Sequence, residues 1–174
     1  MANAQPLGRS GATRLDAGGR TDRHTTLAQR FALAVGAVFL LVGILGFIPG
    51  ITSDYGDMAF AGHESHAKLL GIFEVSVLHN LVHLLFGVLG IAAARRHDTA
   101  RTYLLVGGVI YLALAAYGFI IDHETDANFV PVNRADDWLH TGLGIGMIAL
   151  GLIGGRDHDD ARVGTSNRAG TATG

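Results

Sequence analysis

The sequence predicts an all-α, polytopic membrane protein: a four-transmembrane-helix bundle with a disordered tail at each end. Of its 174 residues, 49% are hydrophobic, and the mean hydropathy is +0.33, too apolar for an ordinary soluble domain of this size. Four stretches carry almost no charge, with Glu74 as the one charged residue among them: residues 31–48, 69–94, 102–121 and 138–155. Each matches the roughly 20 residues that a helix needs to cross a hydrocarbon core about 30 Å thick.

A soluble four-helix bundle is the architecture that these stretches exclude. A helix in such a bundle carries charged residues along its outer face, and none of the four stretches has a charged face. The lipid bilayer is therefore the expected surrounding of residues 31–155.

Composition divides the chain into three parts. Residues 1–30 and 156–174 are rich in Gly, Ala, Arg, Thr and Asp without periodicity, so we expect disordered tails on both sides of a transmembrane domain at 31–155. The leader is too long, and the first span lacks a small-residue cleavage site, for a removed signal peptide. We expect the first span to stay as an anchor.

The basic residues predict how the chain is threaded. All thirteen except Lys68 and Arg134 lie in the leader, in the link at 95–101 or in the tail. Because Lys and Arg concentrate in cytoplasmic loops, we expect a plasma-membrane protein with both termini in the cytoplasm. The two longer loops, which are acidic, then lie outside.

Two classes of function are disfavoured by composition. The chain has no cysteine, which excludes disulfides, thiolate metal sites and cysteine nucleophiles. Its net charge of −2 leaves no basic patch for nucleic acid.

The residues that precede the fourth span predict where its helix begins. Asn133 can cap the helix, while Asp136 and Asp137 fall in the first turn, against the positive end of the helix dipole. Trp138 follows, where an indole suits the boundary between lipid and water.

Small residues recur at helical spacing in all four spans. Helices in lipid associate through close backbone approach, so the glycines predict a tight bundle. Gly142 and Gly146 form a Gly-x-x-x-Gly pair that could equally serve a homo-oligomer.

Polar side chains follow one face of the second span. At 100° per residue, Ser76, His79, Asn80 and His83 share a stripe with two glycines, and Glu74 lies on the opposite side. Unpaired polar groups at membrane depth cost several kcal/mol, so this stripe must face protein, water or a ligand. Interhelical hydrogen bonds are the simplest such use.

His79 and His83, four residues apart, could also chelate one metal ion from a single helix turn. If the helix began at residue 69, His79 would lie about 15 Å deep, whereas His140 would lie only about 3 Å deep. That depth count argues against His140 as a third ligand and favours a pairing of Glu74 with His140 or Arg134. Haem ligation needs imidazoles from two facing helices at similar depth, which this count does not provide.

Two more histidines lie in the first outer loop. His63 and His66 flank an acid, one residue short of the His-Glu-x-x-His zinc motif. With His123 they could hold a divalent cation, although most loops of this kind are simply solvated.

Two segments carry a family resemblance: GIFEVSVLHNLVHLLFG at 71–87 and NFVPVNRADDWLHTGLG at 128–144. Over roughly residues 30–155 the chain resembles a four-helix bacterial integral membrane family, found mostly in high-GC Gram-positive bacteria and described only as a domain of unknown function. The resemblance implies a plasma-membrane location and no assigned reaction.

Taken together, the residues favour a non-enzymatic scaffold or accessory subunit with a polar His/Asn/Glu interior and no cofactor. Two alternatives are a haem- or metal-binding redox protein that depends on its histidines, and a pathway for protons or small solutes.

Overall fold

The apolar stretches fold into four helices, and a small sheet covers one end of them. The computed structural model describes residues 25–170 and the side chains of residues 25–155. The helices are α1 (Leu27–Leu45), α2 (Val77–Ala93), α3 (His97–Ile120) and α4 (Arg134–Gly170). Three strands of two residues each lie between α1 and α2: β1 (Thr52–Ser53), β2 (Lys68–Leu69) and β3 (Phe73–Glu74).

Three of the helices are long and apolar enough to cross a membrane: α1, α3 and the Arg134–Gly155 part of α4. The fourth, α2, is equally apolar but shorter, with 17 residues. The expectation of four helices is therefore confirmed, and three of them have the length of a full span.

The start of the second span is a correction to the sequence analysis. Residues 69–94 do not form one helix, because β2 turns at Leu70 and Gly71 into β3, and both turn residues have positive φ, 55° and 72°. Ser76 then caps α2, its side chain accepting a hydrogen bond from the backbone N–H of His79. Hydropathy alone cannot tell an apolar strand from an apolar helix, which is why the apolar stretch 69–94 predicts a single helix. In the structure Glu74 belongs to β3 and lies outside α2.

The outer helix bounds also differ from the predicted domain limits. A capping box of Thr26 and Gln29 begins α1 at Leu27, four residues before the predicted span. At the other end, α4 passes the predicted limit at residue 155 and continues to Gly170. Residues 1–24 and 171–174 lie outside the described residues, where the disordered tails stay a prediction.

Helix pairs pack backbone to backbone. The closest pairs are α1 with α2 and α3 with α4, whereas α2 and α3 make few contacts. A Cβ added to Gly36 of α1 would lie 2.9 Å from the carbonyl oxygen of Gly87 in α2, and one added to Gly108 of α3 would lie 2.8 Å from that of Gly144 in α4. These glycines set the helix spacing, as expected for association by close approach.

The two ends of the bundle differ in composition. At one end, the side-chain amide of Gln29 donates to the backbone carbonyl of Ala94 (3.0 Å), and Gly154 of α4 packs against Ala28. This end, which we call the basic end, holds the start of α1, the α2–α3 turn at 94–96 and residues 154–155. The other end, the cap, comprises residues 46–76 and 121–133, where Ala67, Leu69 and Val75 form a small core under the sheet.

Gly36→Ala is expected to destabilise the bundle by about 1–3 kcal/mol, because the new methyl group meets backbone atoms of α2 that cannot move aside. Gly56→Ala in the cap is the control, since an added Cβ there meets nothing within 4 Å. Thermal unfolding in detergent, followed by circular dichroism, measures both. Equal midpoints for the two variants would contradict this packing.

Candidate functional site

Three imidazoles from two helices converge below the cap. The rings of His79 and His83 stack with centroids 4.7 Å apart, and the rings of His79 and His140 lie 6.2 Å apart. All three residues are buried, with 6%, 6% and 4% of their surface exposed. The predicted stripe on α2 is buried as well, since Asn80 and the two glycines of the stripe also face the interior.

The convergence overturns the depth count made from sequence. His79 is the third residue of α2 and His140 the seventh of α4, and both helices begin at the cap. The two rings therefore lie at similar depth. The earlier count placed the start of the second helix eight residues too early, because it counted β2 and β3 as helix.

Backbone carbonyls orient two of the rings. Nδ1 of His79 lies 3.1 Å from the carbonyl oxygen of Pro131, and Nδ1 of His83 lies 3.0 Å from that of His79. A carbonyl oxygen only accepts, so in both rings Nδ1 carries the hydrogen and donates it. His140 differs, because its Nδ1 is buried without a hydrogen-bond partner.

A cavity of about 250 Å³ adjoins the three rings. Apolar and aromatic side chains form most of its wall, contributed by α2, α3 and the segment before α4. Tyr111 of α3, 2% exposed, packs its ring against that of His140 at 5.2 Å. The site thus combines apolar walls with a cluster of imidazoles at one side, as small-molecule pockets do.

Residues 128–132 close the cavity on the cap side. The side chain of Asn128 holds this turn, donating to the carbonyl of Val132 (3.0 Å) and accepting from its N–H (3.0 Å). The turn aims the Pro131 carbonyl at His79. The local hydrogen bonds of Asn128 therefore position the Pro131 carbonyl, which accepts from His79, a residue far away in the sequence.

The start of α4 holds a buried acidic pair. The side-chain oxygen of Asn133 accepts from the N–H groups of Ala135 and Asp136, which is the geometry of an N-cap. Asp136 accepts from the N–H groups of Asn133 and Glu74, at 2.9 and 3.0 Å. Both carboxylates also lie at the positive end of the α4 dipole.

Asp137 is fully buried beside two cationic or protonatable groups. His123 lies 3.3 Å and Arg134 3.6 Å from its carboxylate. An added Cβ at Gly118 of α3 would overlap this carboxylate, so the glycine makes room for it. Arg134 therefore contacts Asp137, and no ion pair of Glu74 with Arg134 or His140 occurs in the described residues.

Glu74 lies on β3 at the edge of the bundle, about half-buried. Burial raises the pKa of its carboxyl above the usual value, and nearby Lys68 opposes this effect in part. Glu74 is thus part of the cap and approaches α4 through its backbone N–H.

The predicted outer histidine cluster is not assembled. His63 contacts Glu64 and Asp126, at 3.9 and 3.7 Å, His66 is exposed, and His123 is turned towards Asp137. In the part of the chain that the structure describes, no group of three or more His, Asp or Glu side chains is arranged to hold a metal ion.

Sequence reasoning missed Tyr111 and Asn128. A tyrosine in the middle of an apolar span carries a hydroxyl that needs a polar neighbour, and that signal was present in the sequence. Asn128 precedes Pro131 in a turn, but nothing in its local sequence shows which distant ring the turn meets.

The fold and the cavity define a small helical protein with three helices able to cross a membrane and a histidine-lined pocket at one end. The family model DUF4383, described as a domain of unknown function, matches residues 29–153. The chain belongs to this family, as the resemblance in the two histidine-bearing segments indicates. No curated protein and no solved structure matches the chain.

Glu74→Gln is expected to raise stability near neutral pH and to leave it unchanged at acidic pH. Because the folded state raises the pKa of Glu74, it favours the neutral carboxyl. The neutral Glu74 carboxyl therefore contributes stability that is fully present below the unfolded pKa of about 4.3 and is lost as pH rises through the folded pKa. Gln is neutral at every pH, so the variant keeps this stability where the parent chain loses it. Unfolding midpoints in detergent between pH 4 and 8 measure the difference.

The control is Asp57→Asn, an exposed acidic position of the cap. It should not reproduce the rise in midpoint near neutral pH. A Glu74→Gln profile parallel to the parent profile would contradict the burial of this carboxyl.

Proposed function

We propose that this protein is a four-span scaffold or accessory subunit of the plasma membrane, with both termini in the cytoplasm, and that it assembles through α4. The observation that carries the proposal is the outward exposure of large apolar side chains on every helix.

Each of the four helices exposes at least four large hydrophobic side chains. Examples are Leu41 (55%) on α1, Leu85 (56%) on α2, Val109 (59%) on α3 and Ile145 (58%) on α4. Soluble monomers seldom expose contiguous apolar patches of more than a few hundred Å². A bilayer around all four helices removes this surface from water.

The short helix α2 shares this exposed apolar belt. Its 17 residues span about 25 Å at 1.5 Å per residue, a few ångströms less than the hydrocarbon core. Local thinning of the bilayer accommodates such a mismatch at modest cost. We therefore treat α2 as the fourth span.

The charge of the two ends supports the orientation. The basic end carries Arg30, Arg95, Arg96 and Arg101, whereas the cap carries seven of the ten acidic residues between positions 25 and 155. The positive-inside rule then places the basic end, and with it both termini, in the cytoplasm.

A scaffold role is supported by how the buried hydroxyls are used. Ser65 donates to the carbonyl of Val75 at 2.6 Å, and Ser76 caps α2. Both serines thus serve backbone hydrogen bonds, and neither is paired with a histidine side chain as a nucleophile would be.

Assembly through α4 is supported by two glycines that the fold leaves unused. An added Cβ at Gly142 or Gly146 meets nothing within 4 Å, whereas Gly36, Gly87 and Gly108 all contact a neighbouring helix closely. Gly142 and Gly146 line a shallow groove with Leu139 and Leu143, open to the surroundings. A second copy fits this face by the close approach that Gly-x-x-x-Gly permits.

Single-cysteine labelling in intact cells tests the topology, and the chain has no cysteine of its own. We expect Ala127→Cys, in the exposed cap, to react with an impermeant maleimide. Asp98→Cys, at the basic end, should react only after permeabilisation.

Val109→Cys is the control, because its exposed position on α3 should be shielded by lipid in both conditions. Reaction of Asp98→Cys in intact cells would reverse the orientation. Equal reaction of all three cysteines in purified protein without detergent would overturn the membrane assignment.

Gly146→Leu is expected to weaken self-association at least tenfold, because the larger side chain keeps the partner backbone away. Sedimentation in detergent measures the monomer fraction as a function of protein-to-detergent ratio. Ile145→Leu, the adjacent exposed position, should leave association unchanged. A monomeric parent chain, or an unaffected Gly146→Leu dimer, would overturn assembly through α4.

A further inference from the structure

The histidine-lined cavity has features that a scaffold does not need. It lies where α2 and α3, two helices with few mutual contacts, leave a gap. Val82 of α2 and Leu114 of α3 line it from the two sides, and Leu114 is itself 39% exposed on the outer surface. A molecule could therefore enter sideways, from the lipid.

The size of the cavity suits one ring. A cavity of 150 Å³ in an engineered protein is known to bind benzene, and this one measures about 250 Å³. It has room for a substituted six-membered ring and the first carbons of a chain. The aromatic side chains of Tyr111, Tyr117 and Phe129 in its wall favour a flat, unsaturated guest.

The histidines determine which polar groups such a guest should carry. His79 and His83 each use Nδ1–H on a backbone carbonyl, so in the neutral ring Nε2 carries a lone pair. Neither Nε2 has a hydrogen-bond partner among the residues that the structure describes. The histidine side of the cavity therefore offers acceptors and requires a donor.

His140 adds a third imidazole to the wall of the same cavity. Its ring is 4% exposed and packs between Tyr111 and His79. Its Nδ1 is buried without a partner and is closed off from the cavity, so the acceptors that a guest can reach are those of His79 and His83.

We propose that this cavity binds a lipophile with a hydroxylated aromatic head, a phenol or hydroquinone, one O–H of which donates to Nε2 of His83, beside the second acceptor at Nε2 of His79. The ring occupies the aromatic-walled cavity, and the alkyl tail leaves between Val82 and Leu114 into the bilayer. This site goes beyond the scaffold role and does not depend on assembly through α4.

A metal ion fits the same residues less well. The described side chains include no carboxylate in the cavity wall, and the three histidines are not arranged as a metal-holding group. A hydroxylated ring needs no rearrangement of the imidazoles, because hydrogen bonds tolerate more variation in geometry than coordination to zinc.

Calorimetric titration of the full chain in detergent micelles tests the proposal, under argon. The probe is decylhydroquinone, and its dimethyl ether is the matched control, with the same ring and tail but no O–H donor. We expect saturable binding of one hydroquinone per chain and at least tenfold weaker binding of the ether.

Two variants locate the binding. His83→Phe keeps a ring next to Phe39 but removes Nε2, so it should weaken hydroquinone binding about fivefold to tenfold, the cost of one hydrogen bond, and leave ether binding unchanged. Leu114→Phe, at a half-exposed position that tolerates added volume, should weaken both probes at least tenfold by filling the cavity. Leu85→Phe on the lipid face and His66→Asn in the cap are the controls, and neither should change binding.

Several outcomes would overturn the proposal. Equal affinity for hydroquinone and ether would remove the role of the histidines, and binding unaffected by Leu114→Phe would remove the cavity. A Soret band in the purified protein, or stoichiometric metal lost in His79→Ala, would assign the imidazoles to haem or metal instead. None of these results bears on cysteine labelling or on Gly146→Leu, so the two proposals can fail separately.

Discussion

The hydrogen bond from Nδ1–H of His79 to the carbonyl of Pro131 connects the start of α2 to the segment that leads into α4, and the site depends on this connection. Two further bonds act beside it: the N–H of Glu74 donates to Asp136, and the side-chain amide of Asn133 donates to the carbonyl of Ile72 at 2.8 Å. Direct packing between α2 and α4 is slight. Polar contacts of the cap therefore act together with the aromatic packing of Phe39 on His83 and of Tyr111 on His140 to bring the three imidazoles together.

This arrangement is consistent with the cost of polar groups in an apolar surrounding. Buried donors and acceptors must find partners, and in an interior of alanine, leucine and glycine few side chains can supply them. The cap supplies them from its backbone instead, through carbonyls at Ile72, Pro131 and Val132. The histidines of α2 lie close enough to the cap to use this supply because the helix begins only at Val77.

The sequence was sufficient to predict the helices, and insufficient for the cap. Apolar length predicts that four segments are helical, and helical periodicity predicts that His79, Asn80 and His83 share the buried face of α2. The boundary at Ser76 could not be found the same way, because residues 69–75 are as apolar as the helix that follows. Every depth derived from that boundary was wrong, and the convergence of His140 with His79 was missed for this reason. The class of ligand that we propose for the cavity could not be predicted from the sequence either. It depends on which ring nitrogens donate to backbone carbonyls.

The contact between Gly118 and Asp137 also fixes how α3 and α4 align along their length. The carboxylate of Asp137 occupies space that exists only where α3 lacks a side chain. If α4 slid by one turn, the carboxylate would lose His123 and the space at Gly118, although Arg134, on the same helix, would move with it, and a buried charge that loses a partner is costly. The absence of a side chain at Gly118 therefore fixes the axial register between α3 and α4. It suppresses sliding motions that smooth, small-residue helix surfaces would otherwise permit.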